Sequence, residues 1–315
     1  PVCESPGGQD PVKPMSPRTF ILLALISLPG IACDEKASLQ SKCDAGSQAA
    51  CSDLGIRLLG EDPTQAVALF RPACEAGRKE ACFNLARALD LGQGAPKNLT
   101  EAISLYGQAC DMGLSQACLR LGRILQSSTA IRKNPQRAFA LFMTCCTKGD
   151  MRGCNEAALM YDSGKGVRAD HGAAYKLWRQ SCERKNRDGC AGLGRATLEG
   201  WGRPPDEEAG VALLEKACDE RSGRACAWLA EVLSRSKKVR ASEARALALR
   251  ERACSLGQAH SCQLLGEWYL QGAKVTKDEE RALGYLKKAC KMGLGVACMQ
   301  KDVVEQSRAR GKKGG

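Results

Sequence analysis

The apolar positions of this sequence fall into two stripes that return every 36 residues. The first sets a large residue beside a small one, as in Leu85-Ala86, Leu121-Gly122, Leu193-Gly194, Leu229-Ala230 and Leu265-Gly266, with Ala157-Ala158 in one unit. A further residue follows at i+4: Leu89, Leu125, Tyr161, Thr197, Leu233 or Tyr269. That spacing lines one face of a helix, and the small residue predicts a second helix pressed closely against it. Loops marked by Gly92-Gln93-Gly94, Gly164-Lys165-Gly166 and Gly200-Trp201-Gly202 come next. The column after them reads Asn98, Asn134, Asp170, Asp206, Ser242 and Asp278, all residues that cap helix N-termini. Asp62 fills that place in the first unit, and Pro63 and Pro135 stand at the first helical position, where a missing N–H costs nothing. The second helix carries a small residue (Ala102, Ala138, Ala174, Gly210, Ala246, Ala282) and three positions on an apolar one (Leu105, Leu141, Leu177, Leu213, Leu249, Tyr285). A fixed period of helix pairs predicts an all-α solenoid.

Cysteines keep the same period. They pair eight positions apart as Cys43/Cys51, Cys74/Cys82, Cys110/Cys118, Cys146/Cys154, Cys182/Cys190, Cys218/Cys226, Cys254/Cys262 and Cys290/Cys298. The first step is 31 residues, which implies a five-residue deletion in the first unit. Between paired cysteines lies a glycine suited to the left-handed conformation that ends a helix: Gly46, Gly77, Gly113, Gly149, Gly257 or Gly293. Lys185 and Arg221 replace it twice, and those turns are expected to be looser. Each pair joins the end of one second helix to the start of the next first helix, a separation a disulfide can span. Metal half-sites are the alternative, although the chain has no CxxC and only two histidines, His171 and His260, both expected to be exposed and inert. We expect no metal and no cofactor.

Three cysteines fall outside this scheme in different ways, the first being Cys3, in the segment expected to lie upstream of the start. Cys145 replaces the small residue that the other units hold as Ala73, Ala109, Ser181, Ala217, Ala253 and Ala289, so it reads as a buried substitute, not a nucleophile. Cys33 follows an apolar run from Phe20 to Leu28 behind Arg18, a signal-peptide pattern with small Gly30 and Ala32 before the cleavage point. Cys33 is therefore the expected lipidation site, giving membrane attachment, with ordinary secretion as the alternative. The expected organisation is residues 1–14 upstream of a start at Met15, a signal peptide at 15–32, a linker at 33–42, seven repeat units over 43–298, and a capping helix with a basic tail at 299–315.

The formal net charge of +12 and 44% hydrophobic content describe a folded, basic protein. Such a surface favours an anionic partner. Export argues against nucleic acid, and the chain is expected to act as a monomer. On the first helices, the second, fifth and ninth positions after each second cysteine vary while the core columns hold. Among them Arg87, Arg120, Arg123, Arg195 and Trp228 are the candidate contacts for an acidic partner. Asn84 and Gly192 fall on that same predicted outer face.

The stretches Ala109 to Gly122 (ACDMGLSQACLRLG) and Lys288 to Cys298 (KACKMGLGVAC) resemble Sel1-like repeats, relatives of the tetratricopeptide class. The paired cysteines resemble the disulfide-bridged Helicobacter cysteine-rich protein branch. The resemblance implies a right-handed α/α superhelical solenoid, periplasmic or secreted, that binds proteins or cell-wall fragments. It also implies a second possibility, a penicillin- or muropeptide-binding protein with weak β-lactamase activity. Serine β-lactamase chemistry needs SxxK with SDN and KTG elements. Here only Ser234-Arg235-Ser236-Lys237 occurs, in one inter-helix loop, so no catalytic residue is assigned. Scaffolding in the bacterial cell envelope is the expected function.

Overall fold

The computed structural model describes residues 35–128, 130–235 and 241–311. They form α1 (Glu35–Asp44), α2 (Gln48–Leu58), α3 (Pro63–Glu75), α4 (Lys79–Leu91), α5 (Leu99–Asp111), α6 (Ser115–Ser127), α7 (Pro135–Thr147) and α8 (Met151–Ser163). These continue as α9 (His171–Glu183), α10 (Arg187–Glu199), α11 (Glu207–Asp219), α12 (Gly223–Arg235), α13 (Ala241–Ser255), α14 (Ala259–Gln271), α15 (Glu279–Lys291) and α16 (Gly295–Gly311). Among the described residues there is no strand, and no helix is long and apolar enough to cross a membrane. The chain divides into two units, residues 1–117 and 118–315. In the first, α1 to α5 pack in chain order and α2 also touches α4. In the second, each helix from α7 to α16 packs on its neighbour in the chain, and α10 also touches both α8 and α12. Within each unit, first helices of consecutive repeats thus lie side by side, α2 with α4 in one and α8, α10 and α12 in the other, as in a solenoid of 36-residue repeats.

Capping follows the sequence columns. Asp62, Asn98, Asn134, Asp170 and Asp206 each accept a hydrogen bond from the backbone N–H three residues on, and Asp278 accepts from the N–H groups of Glu280 and Arg281. Ser242 is the exception, because α13 begins ahead of it at Ala241. No Gly-x-Gly turn stops the chain before this helix, and the alanines around Ser242 favour helix. The 31-residue first unit loses two residues from α2, which has 11 where α4 has 13, and three from the connection that follows. Residues 35–42 of the expected linker are helical, forming most of α1, which carries Cys43 into the first cross-link. At the C-terminal end, Ser307 to Gly311 continue α16, and Arg308 bonds Glu280 at 2.9 Å.

Cross-links join Cys43–Cys51, Cys74–Cys82, Cys146–Cys154, Cys182–Cys190, Cys218–Cys226, Cys254–Cys262 and Cys290–Cys298. Their Cα–Cα distances run from 4.4 Å at Cys182–Cys190 to 4.8 Å at Cys218–Cys226 and Cys254–Cys262. Cys110 and Cys118 are disulfide-bonded as well. The turns that these bridges close lie at the surface, but several of the sulfurs do not. Cys51 is 5% exposed, and Cys82 and Cys154 are fully buried, so these three are core residues instead of accessible groups on a turn. Each sits in the first turn or so of its helix (α2, α4 or α8), where the start of that helix is pressed onto the end of the preceding one.

The expected loosening at Lys185 and Arg221 does not occur. Both residues adopt the left-handed conformation, φ 57° and 68°. Arg221 N–H donates to the Cys218 carbonyl at 2.9 Å, as Gly149 N–H does to Cys146 at 3.0 Å. Backbone hydrogen bonds and the cross-link hold the turn, and the non-glycine residue bears roughly 1–2 kcal/mol of steric cost.

The deepest core column lies one residue beyond the position expected for it. Leu105, Leu141, Leu177, Leu213, Leu249 and Tyr285 are only half-buried. The next residues, Phe70, Tyr106, Phe142, Trp178, Leu214 and Leu286, are fully enclosed, each four positions after the small residue of its helix. Trp178 clusters with Ala158 of α8 and Ala196 of α10, so this side chain fills the space between two first helices. Small residues opposite make that possible: a Cβ on Gly122 would lie 2.5 Å from the Phe142 ring, and one on Gly192 2.4 Å from the Trp178 indole. In α13 the column holds Arg250 instead, 9% exposed, its guanidinium 5.3 Å from the Trp268 ring centre and its Nε without a hydrogen-bond partner. Burial pulls the pKa of Arg250 down, and the Glu231 carboxylate opposes that shift.

Candidate functional site

Within the second unit, α10 and α12 enclose a groove with a cavity of about 630 Å³. Ala191 of α10 and Leu229 of α12 are buried together in the core beneath, which leaves the outward positions to form the walls. Leu198 on α10 and Val232 on α12 give an apolar floor, extended by Pro205 from the following connection. Trp228 stands against Arg195 on one side of the groove and is half-buried, contrary to its expected exposure, because it packs on the core beneath.

The charges of the groove sort into committed and uncommitted groups. Arg195 Nη1 donates to Asp162 Oδ2 at 3.0 Å, and its guanidinium lies 5.2 Å from the Trp201 ring centre and 5.3 Å from that of Trp228. Trp201 is itself stacked on His171 at 4.2 Å. Arg195 is therefore a fixed strut that orients two indoles. Arg235 Nη2 donates to Glu231 Oε1 at 2.6 Å. Glu199 and Glu207 also line the cavity, both exposed, and neither forms a hydrogen bond or ion pair with a described residue. A smaller cavity of about 330 Å³ between α11 and α13 has no such residue, since Arg245 pairs with Glu215 and Arg252 with Asp219.

Of the candidate contacts read from sequence, the groove brings together Arg195 and Trp228. Arg87 is exposed on α4 in the first unit. Arg120 is exposed on α6, and Arg123 holds Glu156 through two hydrogen bonds of 2.6 and 3.0 Å. Asn84 and Gly192, expected on the outer face, are buried instead. At Gly192 the adjacent second helix closes over the position through Trp178. Trp201 was missed as a site residue; its place inside a Gly-x-Gly loop, where the other units have Gln93 and Lys165, was the available signal.

The remaining chemistry-bearing residues are structural. Cys51, Cys82 and Cys154, singled out with the other paired cysteines, are buried in their bridges and offer nothing to a ligand. Ser234 Oγ donates to the Ala230 carbonyl at 2.7 Å, and Ser236 and Lys237 lie outside the described residues, as does Cys33. Cys145 is buried, and burial followed by the Asp150 carboxylate pushes its thiol up to about 11. Gly153 compensates for its bulk, since a Cβ there would sit 2.4 Å from Cys145 Cβ. His171 is half exposed, and exposed His260 lies 3.3 Å from Gln263. Among the described residues no three His, Cys, Asp or Glu side chains are grouped to hold a metal ion.

A family model described as the Sel1 repeat matches residues 48–77, 79–114, 115–142, 152–186, 187–222, 223–258 and 259–294. Among solved structures, the chain is similar to a Sel1 repeat protein from Oxalobacter formigenes. That match has 23% identity, covers 85% of this chain and 79% of that one, and gives a TM-score of 0.57. It is also similar to the immunity protein Pa5087 from Pseudomonas aeruginosa, with 18% identity over 68% of this chain and 82% of that one, at a TM-score of 0.50. Both likenesses concern the fold. No curated protein sequence matches the chain.

Proposed function

The chain belongs to the Sel1 repeat family, in a cysteine-bridged form, and from that premise we propose that it is an exported scaffold that binds another protein through the α10–α12 groove. The groove itself carries this reading: a cavity of about 630 Å³ with an apolar floor and a fixed tryptophan, the composition of a protein-binding pocket. Export is supported by the disulfides, which persist in oxidising compartments and are rare in a reducing cytosol. Attachment through lipidated Cys33 in a bacterial envelope is the form of export we favour.

Binding, not turnover, fits the state of Ser234. Its hydroxyl is directed back to the Ala230 carbonyl, and among the described residues no general base is hydrogen-bonded to it. Nitrocefin is expected to remain intact with the purified oxidised protein. Turnover abolished by Ser234→Ala would replace the scaffold reading with an enzymatic one.

A photo-crosslinking residue in place of Val232 tests the binding reading in the native envelope. A discrete protein adduct is expected there and not with the same residue at Ala248, in the cavity between α11 and α13. The reverse pattern would overturn the groove as the binding site.

A further inference from the structure

We propose that the α10–α12 groove receives a lysine or arginine side chain from its protein partner, so that the local partner chemistry is basic although the chain as a whole carries +12. The proposal rests on the groove being the protein-binding site and adds the chemistry it selects. Electrostatic choice at a pocket is made by the charges left uncompensated within a few ångströms, because more distant ones are screened by salt. Both arginines of the groove already have carboxylate partners, Arg195 in Asp162 and Arg235 in Glu231. What remains is Glu199 at the C-terminal end of α10 and Glu207 at the start of α11. Counting the two ion pairs as neutral, the cavity lining presents two acidic groups and no uncommitted cation; Arg224, 5.9 Å from the Trp228 ring centre, is not part of that lining.

The rest of the lining suits the same occupant. Lysine and arginine carry a long methylene stem beneath a charged head, and they lie well along apolar surface when the head reaches polar groups. Leu198 and Val232 offer that surface, while the exposed carboxylates of Glu199 and Glu207 accept hydrogen bonds from the head. An aspartate or glutamate would enter a space already holding three carboxylates, where both guanidinium charges are already paired with a carboxylate. Like charges brought together in this way disfavour binding.

Selection of displayed random peptides on the full-length oxidised chain reads the preference directly. Recovered peptides are expected to carry lysine or arginine next to an apolar residue. Their affinity should fall about tenfold or more in a Glu199→Gln/Glu207→Gln variant, and in Leu198→Arg, which fills the groove. Both glutamates are exposed, so the double variant is expected to keep the far-UV circular dichroism and melting temperature of the parent. Acidic peptides that still lose binding in Leu198→Arg would overturn the charge assignment and leave the groove standing. Basic peptides indifferent to the double variant would overturn it too. Peptides indifferent to Leu198→Arg would remove the groove as the site, and the proposal with it.

Discussion

The α9–α10 and α13–α14 hairpins share one cross-linked frame, yet each carries its strain in a different place. In α9–α10 the deep core position is Trp178, fully buried against Gly192, while the turn forces Lys185 into a left-handed backbone. In α13–α14 the turn has Gly257 at φ 90°, and the core position is Arg250, a buried guanidinium over Trp268. Each buries a side-chain nitrogen without a partner, Trp178 Nε1 in one and Arg250 Nε in the other. A neutral N–H left so costs about 1–3 kcal/mol, and a charged group costs more. The frame set by cross-link, cap and turn tolerates a local defect in either place, because each repeat leans mainly on its neighbours.

Substitutions at these five positions test the contrast. Trp178→Ala should have the largest effect, a loss of about 3–5 kcal/mol in denaturant unfolding, since no neighbour can collapse into a space bounded by two helices. Arg250→Leu should act in the opposite direction and stabilise by about 1–4 kcal/mol, because Leu214 and Leu286 already occupy the equivalent place. A loss there would instead mean that the contact with Trp268 outweighs desolvation. Gly192→Ala should cost about 1–3 kcal/mol through the Trp178 indole and almost nothing once Trp178 is leucine, a coupling read in a double-mutant cycle. The smallest change is at the turns: Lys185→Gly should stabilise by up to about 1 kcal/mol, and Gly257→Ala should destabilise by a similar amount, both measured by thermal unfolding.

What the sequence made legible was whatever repeats with a constant chemical character over a short distance. The cap at Asp170, the turn glycine at Gly149 and the pair Cys146 and Cys154 are each decided within about ten residues of chain. How deep a sulfur lies was not legible from spacing: Cys154 is fully buried while Cys190, at the same place in the next repeat, is half-buried. The deep core column escaped because it has no constant character: Phe142, Trp178, Leu214 and Arg250 share a location but no property. The leucines beside it, constant but half-buried, took its place in the reading. Compensation between columns escaped for the same reason, since Cys145 makes sense only beside Gly153.

At the groove, Arg195 and Trp228 were visible as outward residues of first helices. Their roles were not. Asp162, 33 residues earlier, takes the charge of Arg195, and Trp201 from a connecting loop takes its planar face. That pairing depends on how one repeat stacks upon the next. A basic net charge suggested an acidic partner; counting partners one by one exposed Glu199 and Glu207 as the groups still available.

The short reach of the cross-links has a consequence for how such a chain can change over generations. A bridge such as Cys218–Cys226 is encoded, with its turn and both helix ends, inside one brief stretch of gene. Duplication or loss of a 36-residue segment therefore carries a whole cassette with its own staple, and strands no half-bridge elsewhere. Length becomes a quantity that recombination can adjust in single steps, while the point substitutions that shape a groove proceed independently on the outward faces.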